Sequence, residues 1–330
     1  MLCLGVEATA HTLGVGIFDE TQILADARSV YKPEKGKGIH PLEAAQHHEH
    51  VRDDILACAL HDAGLALSDI DVIAYAKGPG LPPCLRVGCT LAKELATKVS
   101  KPLIAVNHPV AHIEIGRFLT KCNDPVVLYV SGGNTQVISY ANGRYRVFGE
   151  TLDISVGNAI DVFIRRTTGE SPGGPAMERL AAGGSYVELP YVVKGMDLSF
   201  SGILTAALKK HSDGTSLNGV CYSFQETCYA MLVEVTERAL AHLNKSEVLV
   251  TGGVAASSRL NEMMAIMCEA RGAIAHACPK EYSGDNGAMV AVTGLLAYTH
   301  GQQPEEPHAA DFDARWRVDQ ADASWIDGVK

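Results

Sequence analysis

Two histidines four residues apart, His108 and His112, carry the clearest chemical signal in the sequence. An apolar strand leads into them and Pro109 suits the first helical position, so we expect a helix with His108 as its N-cap that continues to Phe118. Side chains four apart lie on one face of a helix, where two neutral imidazoles can bind a divalent or ferric ion. Asp285, in a glycine-flanked turn, is the kind of oxygen ligand that completes such a site. The spacing alone also fits two ordinary surface or core histidines.

Two stretches of the chain share one pattern: an apolar run, a small polar turn and a second apolar run. They are Leu2–Glu20, with its turn at 7–12, and Val126–Gly143, with its turn at 131–134. We interpret them as β-hairpins of an internal repeat. Such turns can present backbone N–H groups to an anion, because glycine permits positive φ angles and close approach. Two ordinary hairpins are the alternative.

A third turn contains Gly252 and Gly253 and follows a buried strand over 248–251. Ser257 or Ser258 is expected to cap the helix after it. Strand, double glycine and helix N-terminus together predict an anion or nucleotide site. The pattern differs from G-x-G-x-x-G, so NAD is not indicated.

The other elements that must position these residues follow from periodicity and capping signals. We expect helices over 41–63, 87–99 and 222–243, and a strand over 72–76. The first helix contains His47, His48 and His50. We interpret these three as a solvated face, since the H-E-x-x-H spacing of metal sites is missing.

Composition restricts the class of protein. With 330 residues, 47% of them hydrophobic, the chain can bury a large core, and two lobes are expected. The apolar start carries Glu7 and lacks an early basic residue, which argues against a signal peptide, and no run reaches the length of a membrane span. Nine cysteines without a C-x-x-C pair favour a reducing cytoplasm. The net charge of −10 gives no overall basic surface for nucleic acid.

Nine stretches in this order resemble the TsaD/OSGEP/Kae family, which makes threonylcarbamoyladenosine in tRNA. They span residues 2 to 298 and are GVEATAHTLGVGI, AYAKGPGLPPCLRVG, PLIAVNHPVAHIEIGR, LYVSGGNTQVI, GETLDISVGNAIDVFIR, SPGGPAMERLA, LPYVVKGMDLSFSG, VTGGVAAS and YSGDNGAMVA. The ATAHT and KGMDLSFSG segments look like the archaeal branch, whose members work in the multi-subunit KEOPS complex.

The resemblance implies an α/β fold, namely a two-lobed actin-like (ASKHA) fold built from a duplicated RNase H-like unit, with a nucleotide cleft between the lobes. The expected N-terminal lobe is 1–125, joined by part of 296–330. The expected C-terminal lobe is 126–295, with a helical insertion at 160–215.

The resemblance also assigns site residues. His108, His112 and Asp285 are expected to hold one metal ion, often iron with zinc as the alternative, and Tyr129 is a further ligand candidate. The expected nucleotide contacts are Tyr129, Val130, Ser131, Gly132, Gly133, Asp161, Gly174 and Glu178, to which the double-glycine turn adds Gly252, Gly253 and Ser257. Two positions depart from the family: Ser257 replaces a usual asparagine, and Ala8 replaces a glycine.

The implied reaction moves a threonylcarbamoyl group from threonylcarbamoyl-AMP to the exocyclic amine of the adenosine beside the anticodon, in tRNAs that read A-starting codons. Glu7 and His11, in the first hairpin turn, are hypothesised to orient the substrate or relay a proton; a polar turn without chemistry is equally compatible with the sequence. Implied partners are tRNA, a small kinase-like subunit and a small dimerising subunit, in the cytoplasm and without a membrane. The candidates for local phosphate contacts are basic residues, for each of which an ordinary solvated charge is the favoured alternative: Lys32, Lys35, Lys37, Arg165, Arg166, Lys209 and Lys210.

Three other functions compete with this one. An ATPase or small-molecule kinase of the same fold would hold Mg²⁺ mainly through carboxylates and phosphates, whereas an imidazole pair predicts a softer metal. A metalloprotease needs a glutamate base next to its histidines, and Pro109 and Ala111 occupy those positions. A nucleotide-binding scaffold without catalysis is hinted at only by Ser257.

Overall fold

The computed structural model describes residues 1–34 and 36–326, and these form an α/β fold around two five-stranded mixed sheets. The first sheet has the order β3-β2-β1-β4-β5, in which β1 pairs antiparallel with β2 and parallel with β4. Its strands are β1 (Cys3–Glu7), β2 (Thr12–Phe18), β3 (Ile23–Val30), β4 (Val72–Gly78) and β5 (Leu103–Asn107).

The second sheet repeats this plan. Its order is β12-β11-β6-β7-β8, with an antiparallel β6-β7-β8 meander and parallel β11 and β12. The strands are β6 (Val126–Val130), β7 (Thr135–Ala141), β8 (Arg144–Glu150), β11 (Glu247–Thr251) and β12 (Ile274–Ala277), while β9 (Val193–Lys194) and β10 (Asp197–Leu198) form a separate two-stranded ladder. The internal repeat predicted from the two hairpins is therefore present as two sheets of one topology.

Ten α-helices among the described residues cover these sheets. They are α1 (Pro41–Ala63), α2 (Pro82–Val99), α3 (His108–Thr120), α4 (Val156–Thr168), α5 (Gly173–Ala181), α6 (Ser201–Ser212), α7 (Leu217–Leu243), α8 (Ser258–Ala270), α9 (Lys280–Ser283) and α10 (Gly287–Thr299). None of those in the described part of the chain combines the length and apolarity that a membrane crossing needs.

The helices divide into three layers. Helices α1 and α2 pack on the outer face of the first sheet, and α4 to α8 surround the outer face of the second. Helices α3 and α10 lie between the two sheets and share one core with both. Because His108 and His112 lie in the first turn of α3 and Asp285 lies in the loop directly before α10, the predicted metal site is held by the central layer of the molecule.

The backbone of α10 packs directly against the backbone of the first sheet. A Cβ added to Gly16 would lie 2.2 Å from the Ala288 nitrogen, and one added to Gly287 would lie 2.2 Å from the Gly16 nitrogen. Only glycine permits this distance, since real Cβ contacts are longer. The start of α10, and with it Asp285, is thereby seated directly on β2.

Three predicted helix starts are wrong. Asn107, not His108, caps α3: its side-chain oxygen accepts a hydrogen bond from the Val110 N–H at 3.3 Å, and asparagine is the stronger capping residue. Helix α2 begins at Pro82 rather than 87, because two prolines are tolerated in a first turn. Helix α7 begins at Leu217 behind the cap Ser216, five residues before the expected start at 222.

The histidine-rich face of α1 is not uniformly solvated. His48 has no exposed surface, and its Nε2 lies 3.0 Å from the Ala10 carbonyl oxygen. The prediction of a solvated face was wrong for this residue, because α1 packs over the β1–β2 turn. His50 is exposed as expected.

Candidate functional site

The three predicted metal ligands converge. The ligand atoms of His108, His112 and Asp285 all lie within 4.8 Å of one another. The Asp285 Oδ1 atom is 3.2 Å from the Nε2 of His112 and 3.6 Å from the Nε2 of His108. Both imidazoles thus direct the same ring nitrogen at one carboxylate oxygen, although 173 residues separate His112 from Asp285 in sequence.

Local structure accounts for this convergence. The first turn of α3 follows β5 directly, so its two histidines emerge at the carboxyl edge of the first sheet. Asp285 lies in the loop before α10, where Asn286 caps the helix by accepting from the Met289 N–H at 2.8 Å. The second sheet also contacts the site, because the Thr251 hydroxyl donates a hydrogen bond to the His112 carbonyl at 2.9 Å.

Glu7 orients His108 from behind. Its Oε2 lies 3.0 Å from the Nδ1 of His108, and its Oε1 accepts from the Thr9 N–H at 2.7 Å and the Thr9 hydroxyl at 2.5 Å. Glu7 is fully buried. A carboxylate on one ring nitrogen fixes the ring so that the other nitrogen faces the site, as around many bound metals.

The ionisable groups of the site shift one another's pKa values. Burial alone would lower the pKa of His108, but the Glu7 carboxylate, with Asp285, raises it to about 9. Burial lowers the pKa of His112, although the hydrogen bond with Asp285 opposes this shift. Burial alone would raise the pKa of Asp285, yet the hydrogen bond with His112 and the charge of His108 hold it well below its usual range. The two imidazoles and the two carboxylates of the site are therefore electrostatically coupled.

The residues present fit a metal ion. Two neighbouring ligands about 2.1 Å from one ion lie roughly 3 to 4 Å apart, and both histidine–Asp285 distances fall in this interval. Two imidazoles and one carboxylate are a donor set typical of zinc and of non-haem iron. The Nδ1 of His112 is buried without a hydrogen-bond partner among the described residues, so its ring is held by packing and by Asp285.

Tyr129 borders the cluster. It is fully buried, and its ring centroid lies 5.2 Å from that of His112. Burial and the charge of Asp285 raise its pKa far above the usual value, so the side chain is a neutral phenol. Its hydroxyl accepts a weak hydrogen bond from Asn134 at 3.5 Å, which ties it to the first glycine turn of the second sheet.

The two glycine turns of the second sheet lie against each other. Gly252 has φ of 93°, and a Cβ there would be 2.4 Å from the Val130 carbonyl oxygen. A Cβ added to Gly132, Gly133 or Gly253 would meet no other atom within 4 Å, so these three glycines border open space. The Ser131 hydroxyl already accepts from the N–H groups of Gly133 and Asn134, at 3.2 and 3.0 Å. The structure thus brings these turns together, but part of the predicted N–H surface at Ser131 is satisfied internally.

Asp161 and Glu178 are anchored from the helical side. Asp161 accepts from the Gly173 N–H at 2.7 Å, and Glu178 accepts from the Ser258 N–H at 3.0 Å, just after the α8 cap Ser257. Burial raises the pKa of Asp161, although the Gly173 N–H and the charges of Arg165 and His11 oppose this rise. His11 also contributes to the low pKa of Asp285, after the larger effects of burial and of His112 and His108. His11 therefore lies within electrostatic reach of both carboxylates.

Sequence reasoning missed Thr9 and Asn286. Thr9 lies two residues after Glu7, in the turn, and its hydroxyl is also 3.3 Å from the Nδ1 of His108. No periodic signal distinguishes it from other small turn residues. Asn286 could have been found, because an asparagine directly before an apolar helix is a standard N-cap.

Two of the basic candidates, Lys37 and Arg165, lie at the same exposed loop. Lys37 pairs with Glu34 at 2.8 Å in an exposed loop, and the Arg165 guanidinium lies 3.8 Å from a Cβ built on Gly38 of the same loop. Lys35 lies outside the described residues.

Comparison with known proteins points in one direction. Residues 22–292 match the family model described as TsaD: tRNA N6-adenosine threonylcarbamoyltransferase. A protein of Methanopyrus kandleri named tRNA N6-adenosine threonylcarbamoyltransferase is 52% identical over 98% of this chain and 96% of its own length. One of the same name from Archaeoglobus fulgidus is 51% identical over 98% of this chain and all of its own length.

Two further comparisons extend this picture. A Methanothermobacter thermautotrophicus protein named probable bifunctional tRNA threonylcarbamoyladenosine biosynthesis protein is 52% identical, and the match covers 99% of this chain but 61% of that protein. Among solved structures, HypF of T. kodakarensis superposes with a TM-score of 0.65 at 15% identity, over 93% of this chain and 49% of HypF. The last likeness concerns the fold alone, and it agrees with the predicted ASKHA-like architecture.

Proposed function

Because this chain belongs to the TsaD family, the tRNA N6-adenosine threonylcarbamoyltransferases, we propose that His108, His112 and Asp285 hold one metal ion beside the donor of the threonylcarbamoyl group. The chain is a transferase that modifies adenosine in tRNA. Family membership favours this activity over a kinase, an ATPase, a protease or an inactive scaffold. The observation that carries the proposed site is the convergence of two histidines and Asp285 in front of the Glu7 carboxylate.

The transfer we propose is an acyl substitution. The exocyclic amine of the adenosine attacks the carbamoyl carbon of threonylcarbamoyl-AMP, the bond from that carbon to the phosphate oxygen breaks, AMP leaves and the amine loses one proton. A metal ion bound here would act as a Lewis acid and a template for the carbonyl. The residues of the chain position the reactants and accommodate the charge that moves to the leaving phosphate.

We assign the donor's adenylate to the space in front of the glycine turns of the second sheet. The open glycines at 132, 133 and 253 let a ligand approach the backbone, and helices α4 and α5 contribute Asp161, Gly174 and Glu178. Both oxygens of Glu7 are occupied by Thr9 and His108, so we give Glu7 an orienting role. His11 is then our candidate to accept the amine proton, because it lies in the same β1–β2 turn as Thr9, the residue that binds Glu7.

The finer features of this proposal concern metal, lobes and partners. We propose iron as the ion, with zinc as the alternative. The proposed lobes are 1–125 with part of 296–330, and 126–295, with helix α10 packed between the sheets at their boundary. The match covers 61% of the bifunctional relative, so that protein carries sequence beyond the matched part. Together with family membership, this supports a KEOPS-type assembly in the cytoplasm, with a small kinase-like subunit and a small dimerising subunit.

The test is a transfer assay with purified tRNA, threonylcarbamoyl-AMP and the partner subunits, with and without a metal chelator. We expect modified adenosine in the untreated reaction, loss with chelator, and recovery when Fe²⁺ is restored. His112→Ala should abolish transfer without unfolding the protein, and His47→Ala on α1 is the control. Near-normal modification by the His112→Ala variant would refute the metal site and leave the family assignment in place.

A further inference from the structure

The edge strand β3 directs two charged residues at the loop that carries Asp285. Asp26 and Arg28 are two residues apart in β3, so their side chains leave the same face of the strand. That face contacts the N-terminus of α10. The proposed transfer reaction uses neither residue.

Arg28 connects helix α9 to the loop that carries Asp285. One of its terminal nitrogens donates to the Glu281 carbonyl at 2.6 Å, and the other donates to the Asp285 carbonyl at 3.4 Å. The planar guanidinium is suited to this task, since it offers several N–H donors in a fixed arrangement. A single side chain thereby sets the separation of two backbone carbonyls four residues apart.

Asp26 holds the other side of the loop. Its Oδ1 accepts from the N–H groups of Gly287 and Ala288, at 3.0 and 3.3 Å, and its Oδ2 pairs with Arg28 at 3.2 Å. A carboxylate at a helix N-terminus is stabilised by the unsatisfied N–H groups and by the helix dipole. The Asp26 side chain is 8% exposed, so the contact is protected from solvent.

We propose that Asp26 and Arg28 act together as positioning residues that hold the backbone on both sides of Asp285 and so fix its carboxylate opposite the two histidines. The inference rests on the proposed metal site and adds to it. Neither residue touches the ligand atoms. Their effect is to reduce the number of loop conformations, so that less conformational entropy is lost when Asp285 binds an ion.

The test measures metal affinity in the intact chain. Apo protein is titrated anaerobically with Fe²⁺ in competition with a chromophoric chelator, and with Zn²⁺ as a second probe. We expect Arg28→Met and Asp26→Asn each to weaken Fe²⁺ binding about 10-fold, the lower end of effects seen for residues behind a ligand. The double variant should be little worse than either single one, because the pair acts as a unit. Arg28→Lys, which keeps the charge and loses the fork, should recover part of the affinity.

Two controls separate this effect from a general loss of structure. Arg52→Met removes an ion pair of similar kind, 3.0 Å from Glu94, far from the loop, and should leave Fe²⁺ affinity unchanged. Melting temperatures of all variants are measured in the absence of metal. Wild-type affinity in Arg28→Met, or an affinity loss that Arg52→Met reproduces at equal melting temperature, would overturn the positioning role. Failure of the wild type to bind either ion more tightly than His112→Ala would overturn the metal site itself, and the pairing of Asp26 with Arg28 would then have no ligand to position.

Discussion

The Nδ1 atom of His108 lies 3.0 Å from Oε2 of Glu7, and the other Glu7 oxygen is held by Thr9. Glu7 is fully buried and His108 is 6% exposed, so the pair sits in a medium where an ionic hydrogen bond is strong and an unpaired group is costly. The end of β1 thus contacts the proposed metal site through one imidazole.

Glu7→Gln tests this relationship. The amide oxygen can still accept from His108, but the amide NH₂ then faces the Thr9 N–H and hydroxyl, donor against donor. We expect metal affinity to fall about 10- to 100-fold, with a stability loss of about 1–3 kcal/mol. Competitive Fe²⁺ titration and denaturant unfolding measure the two effects. The control is Glu43→Gln on the exposed side of α1; an unchanged Fe²⁺ affinity in Glu7→Gln would contradict the orienting role.

Gly16→Ala tests the close packing of α10 on β2. The added methyl would lie 2.2 Å from the Ala288 backbone nitrogen, so the helix or the strand must move. We expect a loss of about 1–3 kcal/mol in the free energy of unfolding, and a weaker metal site because Asp285 moves with the helix. Gly202→Ala is the matched control, since its Cβ meets nothing within 4 Å in the first turn of α6. Equal stabilities of the two variants in urea denaturation would contradict the close packing of Gly16 against Ala288.

His48 predicts a pH dependence of stability. Burial lowers its pKa from 6.5 to about 4, even though the hydrogen bond from its ring to the Ala10 carbonyl opposes the shift. Between these values the unfolded chain binds a proton that the folded chain does not, so stability falls as the pH falls from about 6.5 to about 4. The full difference is at most about 3 kcal/mol. His48→Gln can keep the hydrogen bond to Ala10 and removes the titration.

The measurement is the free energy of unfolding of wild type and His48→Gln across this pH range. We expect the difference in free energy of unfolding between the two proteins to shrink toward acidic pH, by up to about 3 kcal/mol relative to neutral pH. His50→Gln, an exposed neighbour, should run parallel to wild type throughout. Parallel curves for His48→Gln would show that His48 is not buried as a neutral ring.

The sequence predicted most of the elements that hold the site, because their signals are local. The hairpin at Val126, helix α1 and the cap at Ser257 follow from alternation, periodicity and capping preferences that act over a few residues. The start of α3 was missed by one residue, because Asn107 and His108 compete for the cap and the proline rule was given more weight than the asparagine preference.

What the sequence could not predict depends on contacts between distant segments. His48 is buried because α1 packs over the turn at Ala10. The hydrogen bond from Arg28 to the Asp285 carbonyl joins residues 257 positions apart. Neither has a periodic or capping signal. The convergence of Asp285 with His112 was expected from family resemblance, and the spacing of these residues alone would not have required it.

Ser257→Asn tests the departure from the family pattern. Asparagine and serine are comparable N-caps, so α8 should keep its cap and the unfolding free energy should change by no more than about 0.5 kcal/mol. The longer side chain adds an amide donor beside the double-glycine turn. We expect the KM for threonylcarbamoyl-AMP to fall several-fold in steady-state transfer assays. Ser216→Asn, at the cap of α7, is the control, and an equal change in both variants would remove any special role of position 257.

The net charge of −10 predicts how the isolated chain meets tRNA. Non-specific nucleic-acid affinity comes mainly from neutralised phosphates, and without a basic surface it stays in the weak range of about 10⁻⁴–10⁻⁶ M at physiological salt. We expect such binding for the chain alone and tighter binding once basic partner subunits are added. Filter binding over a salt series measures both the affinity and the number of ion contacts.

A charge-reversal substitution tests whether a basic residue of this chain contributes to tRNA binding. Arg166→Glu, on the exposed end of α4, should weaken tRNA binding by the assembled complex and reduce the salt slope by about 1, the loss of one phosphate contact. Lys98→Glu, at the exposed end of α2, changes the net charge equally and is the control. Equal effects of the two substitutions would indicate a response to net charge alone. Tight, strongly salt-dependent binding by the isolated chain would contradict the role given to the partners.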